Sequence, residues 1–127
     1  MVINLGSFKS GHHQQVEEEI KAVVAEAADH ALVKVIIETG LLTKDEKATI
    51  CQMILDSGAH FVKTSTGFSA PGATVEDVRL IRSIVQGRLG IKASGGIRTY
   101  DQAMAMIKAG ATRLGSSSSL AIVGSAP

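Results

Sequence analysis

An α/β fold with a parallel sheet, laid out as part of a (β/α) barrel, is what the sequence predicts, and three observations carry it. Short apolar, β-branched runs alternate with segments whose apolar residues recur every three or four positions, so strands alternate with helices. The links between them are short, which joins successive strands by right-handed crossovers and makes them parallel. A weak internal repeat is also present: Ser57-Gly58-Ala59 leads into one strand-like run and Ala109-Gly110-Ala111 into another. Five strands in 127 residues make just over half of such a barrel, which needs eight strands and at least about 200 residues.

Met1-Val2-Ile3-Asn4-Leu5 reads as the first strand and Gly6 to His13 as a polar link. Val16, Ile20, Val23, Val24 and Ala27 then mark one face of an amphipathic helix. Ala31 to Glu38 is β-branched throughout its centre, as a strand buried on both faces should be. Thr43 with Glu46 three residues on forms a capping box, the helix it opens carries Ile50, Cys51 and Ile54, and Gly58 stops it. Phe61 to Ser65 is the next strand. Thr74 and Asp77 open a helix with Val78, Ile81 and Val85 on one face and Gly87 as its stop, and the strand Gly90 to Ser94 follows. Thr99 with Gln102 opens another helix, whose inner face is Ala103, Met106 and Ile107 and whose end is Gly110. The last strand, Thr112 to Gly115, runs into four serines and a brief helix-like piece, Leu120 to Val123, before a loose tail.

Composition narrows the function. With 45% hydrophobic and 20% charged residues the chain suits one globular unit, residues 1–127, with a core of its own. A formal charge of +1 and 3% aromatics argue against nucleic acid as a partner. No apolar run approaches the ~18 residues of a membrane span and no signal peptide is visible, so the expectation is a cytoplasmic protein without a membrane partner. The lone Cys51 lies within a predicted helix and reads as a buried structural thiol. His12, His13, His30 and His60 form no metal-ligand pattern and read as solvated, so no metal is expected.

The chemistry concentrates at strand ends. Phe61-Val62-Lys63-Thr64-Ser65-Thr66-Gly67 carries a lysine to the end of an apolar strand, and Gly90-Ile91-Lys92-Ala93-Ser94-Gly95-Gly96-Ile97-Arg98 repeats the arrangement about one βαβ unit later. That spacing puts Lys63 and Lys92 at equal heights on neighbouring strands. At ~4 Å and an effective dielectric of ~20 their repulsion is roughly 4 kcal/mol, enough to keep one amine neutral near pH 7 as a carbonyl nucleophile. A strand-end lysine that snorkels to solvent fits the same residues equally well. Lys34, between apolar neighbours, is expected to pair with Glu38 or another carboxylate and to help line the site. Thr64 and Thr66 are either β-formers or holders of water and substrate hydroxyls. Gly67 to Gly72 has the glycine spacing of a phosphate loop, but Ala73-Thr74 stands where Lys-Ser/Thr is required. Gly95, Gly96, Ser117 and Ser118, in the loops after the last two strands, are the better phosphate candidates. A doubly wound nucleotide-binding module is disfavoured because no G-x-G-x-x-G follows the first strand.

Leu32-Val33-Lys34-Val35-Ile36-Ile37-Glu38-Thr39, Phe61 to Gly67 and Ile91 to Thr99 together resemble class I deoxyribose-phosphate aldolase, and the likeness extends over essentially the whole chain. The resemblance implies a TIM barrel of which this chain is about strands four to eight with their helices. It implies a lyase that reversibly cleaves 2-deoxy-D-ribose 5-phosphate to acetaldehyde and D-glyceraldehyde 3-phosphate, with a small phosphorylated sugar as substrate and no cofactor. By the same resemblance Lys63 is the Schiff-base lysine and Lys92 the neighbour that tunes it and relays protons. The segment Met1 to Asn4 corresponds to the fourth strand just after a catalytic aspartate of the family, and that aspartate is absent here. The alternative reading is therefore a half-barrel with a structural or assembly role and no turnover. Five strands without the other three are expected to expose a Val- and Ile-rich inner face, which a homo-oligomer would cover through that face or through Met1 to Leu5.

Overall fold

The computed structural model describes residues 1–28, 30–68 and 71–127. Four parallel strands lie side by side in chain order, β1 (Lys34–Ile36), β2 (Phe61–Lys63), β3 (Gly90–Ser94) and β4 (Arg113–Gly115). Among the described residues six α-helices accompany them, α1 (Leu5–Lys9), α2 (His13–Ala27), α3 (Lys44–Ser57), α4 (Val75–Val85), α5 (Tyr100–Ala109) and α6 (Ser119–Gly124), together with a 3-10 turn at Thr39–Leu41. Strands that neighbour in sequence also neighbour in space, which is the order of a barrel segment rather than of a doubly wound sheet.

The helix boundaries follow their caps. Thr43 and Thr99 each close a capping box with Glu46 and Gln102, and the Thr74 hydroxyl accepts from the Asp77 N–H. Gly58 ends α3 in the left-handed region at φ 79°. Helix α4 stops one residue earlier than Gly87, at Gln86, which takes φ 50° itself.

Four sequence expectations change. The first strand contracts to a single parallel bridge between Val2 and Ile36, with Ile3 N–H donating to the Ile36 carbonyl at 3.1 Å. The chain then turns at once into α1, because the Asn4 side chain accepts the Ser7 N–H and caps a helix where a polar link was expected. The run from Ala31 to Glu38 yields only three strand residues, since Glu38 adopts φ 54° and ends it. Ile107, placed on the inner face of α5, is 47% exposed, while Ala103 and Met106 are buried as expected.

The largest departure concerns the two faces of the sheet. Side chains alternate along a strand, so one face takes Val35, Val62, Ile91 and Ala93, all fully buried. These pack in one core with Ile50 and Ile54 of α3, Val78, Ile81 and Val85 of α4, and Ala103 and Met106 of α5. Each such residue contributes roughly 1.5–3 kcal/mol. The opposite face carries Lys34, Ile36, Phe61, Lys63 and Lys92, half-buried, and the exposed Arg113. The Val- and Ile-rich surface thus faces the helices, and the face turned away from them is mostly cationic.

Candidate active site

Pairing register builds the centre of the site. Lys63 is third in β2 and lies directly across from Lys92, third in β3, with Ile36 on its other side. Odd positions share one face, so both lysines enter the same cleft at the C-terminal end of the sheet, a volume of about 360 Å3 that Thr66, Gly95, Gly96 and Ser117 also line. The pKa of Lys63 is lowered. Burial is the first cause, the Lys92 ammonium the second, and Lys34 adds to both, whereas Glu38 opposes them. The expectation that repulsion leads is therefore corrected: desolvation leads, and the second lysine supports it.

Gly115, which sequence reasoning did not single out, makes this pairing possible. A Cβ there would stand 2.9 Å from Ser94 Cβ and 3.0 Å from Lys92 Cε, so the glycine leaves the Lys92 side chain its path. The available signal was a glycine ending a strand beside one that carries a lysine. Gly90 acts similarly lower in the sheet, where a Cβ would overlap the Phe61 ring.

The two threonines part company. Thr64 is fully buried; its hydroxyl donates to the Ser94 carbonyl at 3.2 Å and accepts the Ser94 N–H at 3.1 Å, which ties β2 to β3 and leaves nothing for a substrate. Thr66 lines the cleft, and its hydroxyl donates to Glu38 Oε2 at 2.6 Å. Lys34 makes no ion pair with Glu38. Its Nζ sits 5.5 Å from the centre of the Phe61 ring, with the Arg113 guanidinium carbon 4.8 Å from the same centre. The reason is the left-handed backbone of Glu38, whose carboxylate meets Thr66 instead.

The anion candidates cluster but are not equivalent. Gly95 and Gly96 stand at φ 90° and 79°, a conformation that requires glycine, and both line the cleft. Ser117 and Arg98 line it too, the latter unforeseen. Ser118 lies outside that lining: its N–H donates to the Ser116 hydroxyl at 2.9 Å, and that hydroxyl donates to the Ile97 carbonyl at 2.6 Å. Of the segment with phosphate-loop glycine spacing, Ser69 and Ala70 lie outside the described residues.

Away from the cleft, His60 Nδ1 accepts the Val33 N–H at 3.0 Å and the His13 ring stacks on Phe8 with centroids 4.8 Å apart, so neither is merely solvated. Cys51 is fully buried and its thiol is pushed up to about 12 by that burial, which excludes a nucleophilic role. Among the described residues no helix is long and apolar enough to cross a membrane. Chemically, the cleft holds a lysine biased toward the neutral amine, a second cation beside it, a hydroxyl, and glycine amides with an arginine at the rim.

Known proteins resemble this chain in sequence and in fold. A profile described as DeoC/LacD family aldolase matches residues 1–124. The deoxyribose-phosphate aldolase of Streptococcus gordonii is 60% identical over 123 residues, 97% of this chain and 56% of that protein. Among solved structures, QR15, an aldolase, aligns with a TM-score of 0.92 at 46% identity over 97% of this chain and 55% of its own. The deoxyribose phosphate aldolase of Aeropyrum pernix, described as having a unique tetrameric structure, aligns with a TM-score of 0.83 at 33% identity over 89% of this chain and 49% of its own. The chain spans about half the length of the curated relatives it matches.

Proposed function

We propose, from the premise that this chain belongs to the DeoC/LacD family of aldolases, that it carries the Schiff-base side of a deoxyribose-phosphate aldolase site. The observation that carries the reading is Lys63 in register with Lys92 at the floor of one cleft, its amine biased toward the neutral form.

The neutral Lys63 nitrogen attacks C1 of open-chain 2-deoxy-D-ribose 5-phosphate, and loss of water leaves a protonated imine. A base removes the C3 hydroxyl proton, the C2–C3 bond breaks, and its electron pair flows into the imine, releasing D-glyceraldehyde 3-phosphate and an enamine. Protonation at C2 and hydrolysis then free acetaldehyde and the amine. Lys92, directly across from Lys63, relays protons to and from the imine. Thr66 offers a hydroxyl to the sugar. Gly95, Gly96 and Ser117, with Arg98 at the rim, form the phosphate side. The chain spans about half the length of such relatives, so the activity read here is that of a complete barrel of the family. Homo-oligomeric assembly belongs to the same reading, in line with the tetrameric Aeropyrum pernix aldolase, and sedimentation of this chain across concentrations tests it.

Trapping tests the chemistry. Treated with acetaldehyde and borohydride in the context of a complete barrel, the chain should gain mass on a peptide containing Lys63, and Lys63→Ala should abolish that gain. Labelling that persists in Lys63→Ala and vanishes in Lys92→Ala would reverse the two roles and overturn the assignment.

A further inference from the structure

Glu38 lies two residues beyond Ile36, the β1 partner of Lys63, and its charge acts on Lys63. It is only 3% exposed, an unusual place for a carboxylate, and its backbone sits at φ 54°, a conformation that costs a non-glycine residue about 1–2 kcal/mol. Such burial and strain persist only where the surroundings over-determine them. Here they do. Ile37 N–H donates to the Lys63 carbonyl at 3.1 Å and Thr39 N–H donates to the Thr64 carbonyl at 2.9 Å, so the residues on either side of Glu38 are fastened to the backbone of Lys63 and its successor. The left-handed turn between them aims the carboxylate across to Thr66, whose N–H reaches Oε1 and Oε2 at 3.3 and 3.2 Å and whose hydroxyl reaches Oε2 at 2.6 Å. The Thr66 hydroxyl in turn accepts the Phe68 N–H at 3.2 Å.

We infer that Glu38 is a positioning residue: its buried carboxylate clamps Thr66 and the start of the following loop against the cleft and supplies the counter-charge to Lys63. The inference deepens the aldolase reading and rests on it for its catalytic consequence; the geometry and the charge stand without it. Among the described residues the charged groups that act on Lys63 are Lys92 from β3, Glu38, and Lys34 from β1; Arg98, from the loop after β3, lines the same cleft, and Arg113 of β4 pairs with Lys92 in the strand register. Among the described residues Glu38 is thus the carboxylate that acts on Lys63, and it limits how far burial and Lys92 depress the Lys63 amine.

The test uses the whole chain labelled with 13C at lysine Cε, with Lys63 assigned through Lys63→Arg. Glu38→Gln keeps an acceptor for Thr66 and removes the charge, so the Lys63 titration should move to lower pH. Thr66→Val keeps the charge and removes the hydroxyl, so exchange of the Phe68 amide should quicken about tenfold, the equivalent of a lost hydrogen bond, while Lys63 titrates as in the unaltered chain. Thr66→Ser should restore the slow exchange. Neither readout requires imine formation, so their failure is distinguishable from failure of the aldolase reading. A Lys63 titration unmoved in Glu38→Gln, or Phe68 exchange unmoved in Thr66→Val, would overturn the inference. If Glu38→Gln does not fold, Glu38→Asp, which keeps the charge but shortens the reach to Thr66, should quicken Phe68 exchange, and unchanged exchange there overturns the clamp.

Discussion

Lys92 acts on Lys63 through space, and at the scale of single residues burial comes before it as a cause of the lowered Lys63 pKa. Replacing Lys92 by Leu removes a positive neighbour, which favours the charged form of Lys63; its pKa therefore rises, and the neutral fraction near pH 7 falls. Reductive labelling of Lys63 should accordingly require higher pH in Lys92→Leu, with the acid limb of its pH profile displaced upward. Because burial is the first cause, the limb should still lie below that of an ordinary lysine. A limb that returns fully to the ordinary range would show that repulsion, as the sequence alone suggested, is the leading cause. The two lysines were legible from strand-end position and spacing, since both are properties of local pattern. Glu38 and Gly115 were not, because one depends on a left-handed turn and the other on what a missing Cβ lets a neighbour do.

Elements were legible wherever a cap and a periodic face agreed. Helices α3, α4 and α5 begin where Thr43, Thr74 and Thr99 place them, since the hydroxyl and the N–H it accepts are three residues apart in sequence and in space. Strand lengths were not legible, because pairing partners decide them: the run from Ala31 to Glu38 pairs only while β2 lies beside it, and Phe61 to Ser65 likewise shortens to three residues. The fastening of α3 to α4 was also invisible. Lys47 Nζ meets Asp77 Oδ1 at 2.6 Å across 30 positions of sequence, with both side chains mostly buried at 14% and 11% exposure. Lys47→Ala would leave the Asp77 carboxylate half-enclosed without its cation, and a loss of about 2 kcal/mol is expected, between the values for exposed and buried pairs. Urea unfolding should show the midpoint falling with an unchanged slope. Lys9→Ala, which breaks the far more exposed pair with Glu46, should move the midpoint much less. Equal shifts would contradict the account of α3 and α4 as joined by a buried charge pair.

For the molecule as a whole, the sidedness of the sheet decides how copies of the chain can meet. The expectation of a Val- and Ile-rich open face followed from reading the strands as apolar runs, and it failed because alternation hands those residues to the helices. What remains on the other face is Lys34, Lys63, Lys92 and Arg113 around Phe61. Two copies stacked through that face would set like charges against like; at ~6 Å and an effective dielectric of ~20, each opposed pair costs about 3 kcal/mol. Apolar burial by Phe61 and Ile36 offsets about one such pair and not several. An oligomer of this chain should therefore avoid the sheet face. Its association constant, measured by sedimentation equilibrium, should be nearly the same at about 20 mM and about 300 mM sodium chloride, a span over which repulsion between exposed charges is largely screened out. Lys34→Glu, which would convert two repulsions into attractions in a face-to-face pair, should leave the constant unchanged as well. Association that tightens steeply with salt and again with Lys34→Glu would put the cationic face at the contact and refute this account.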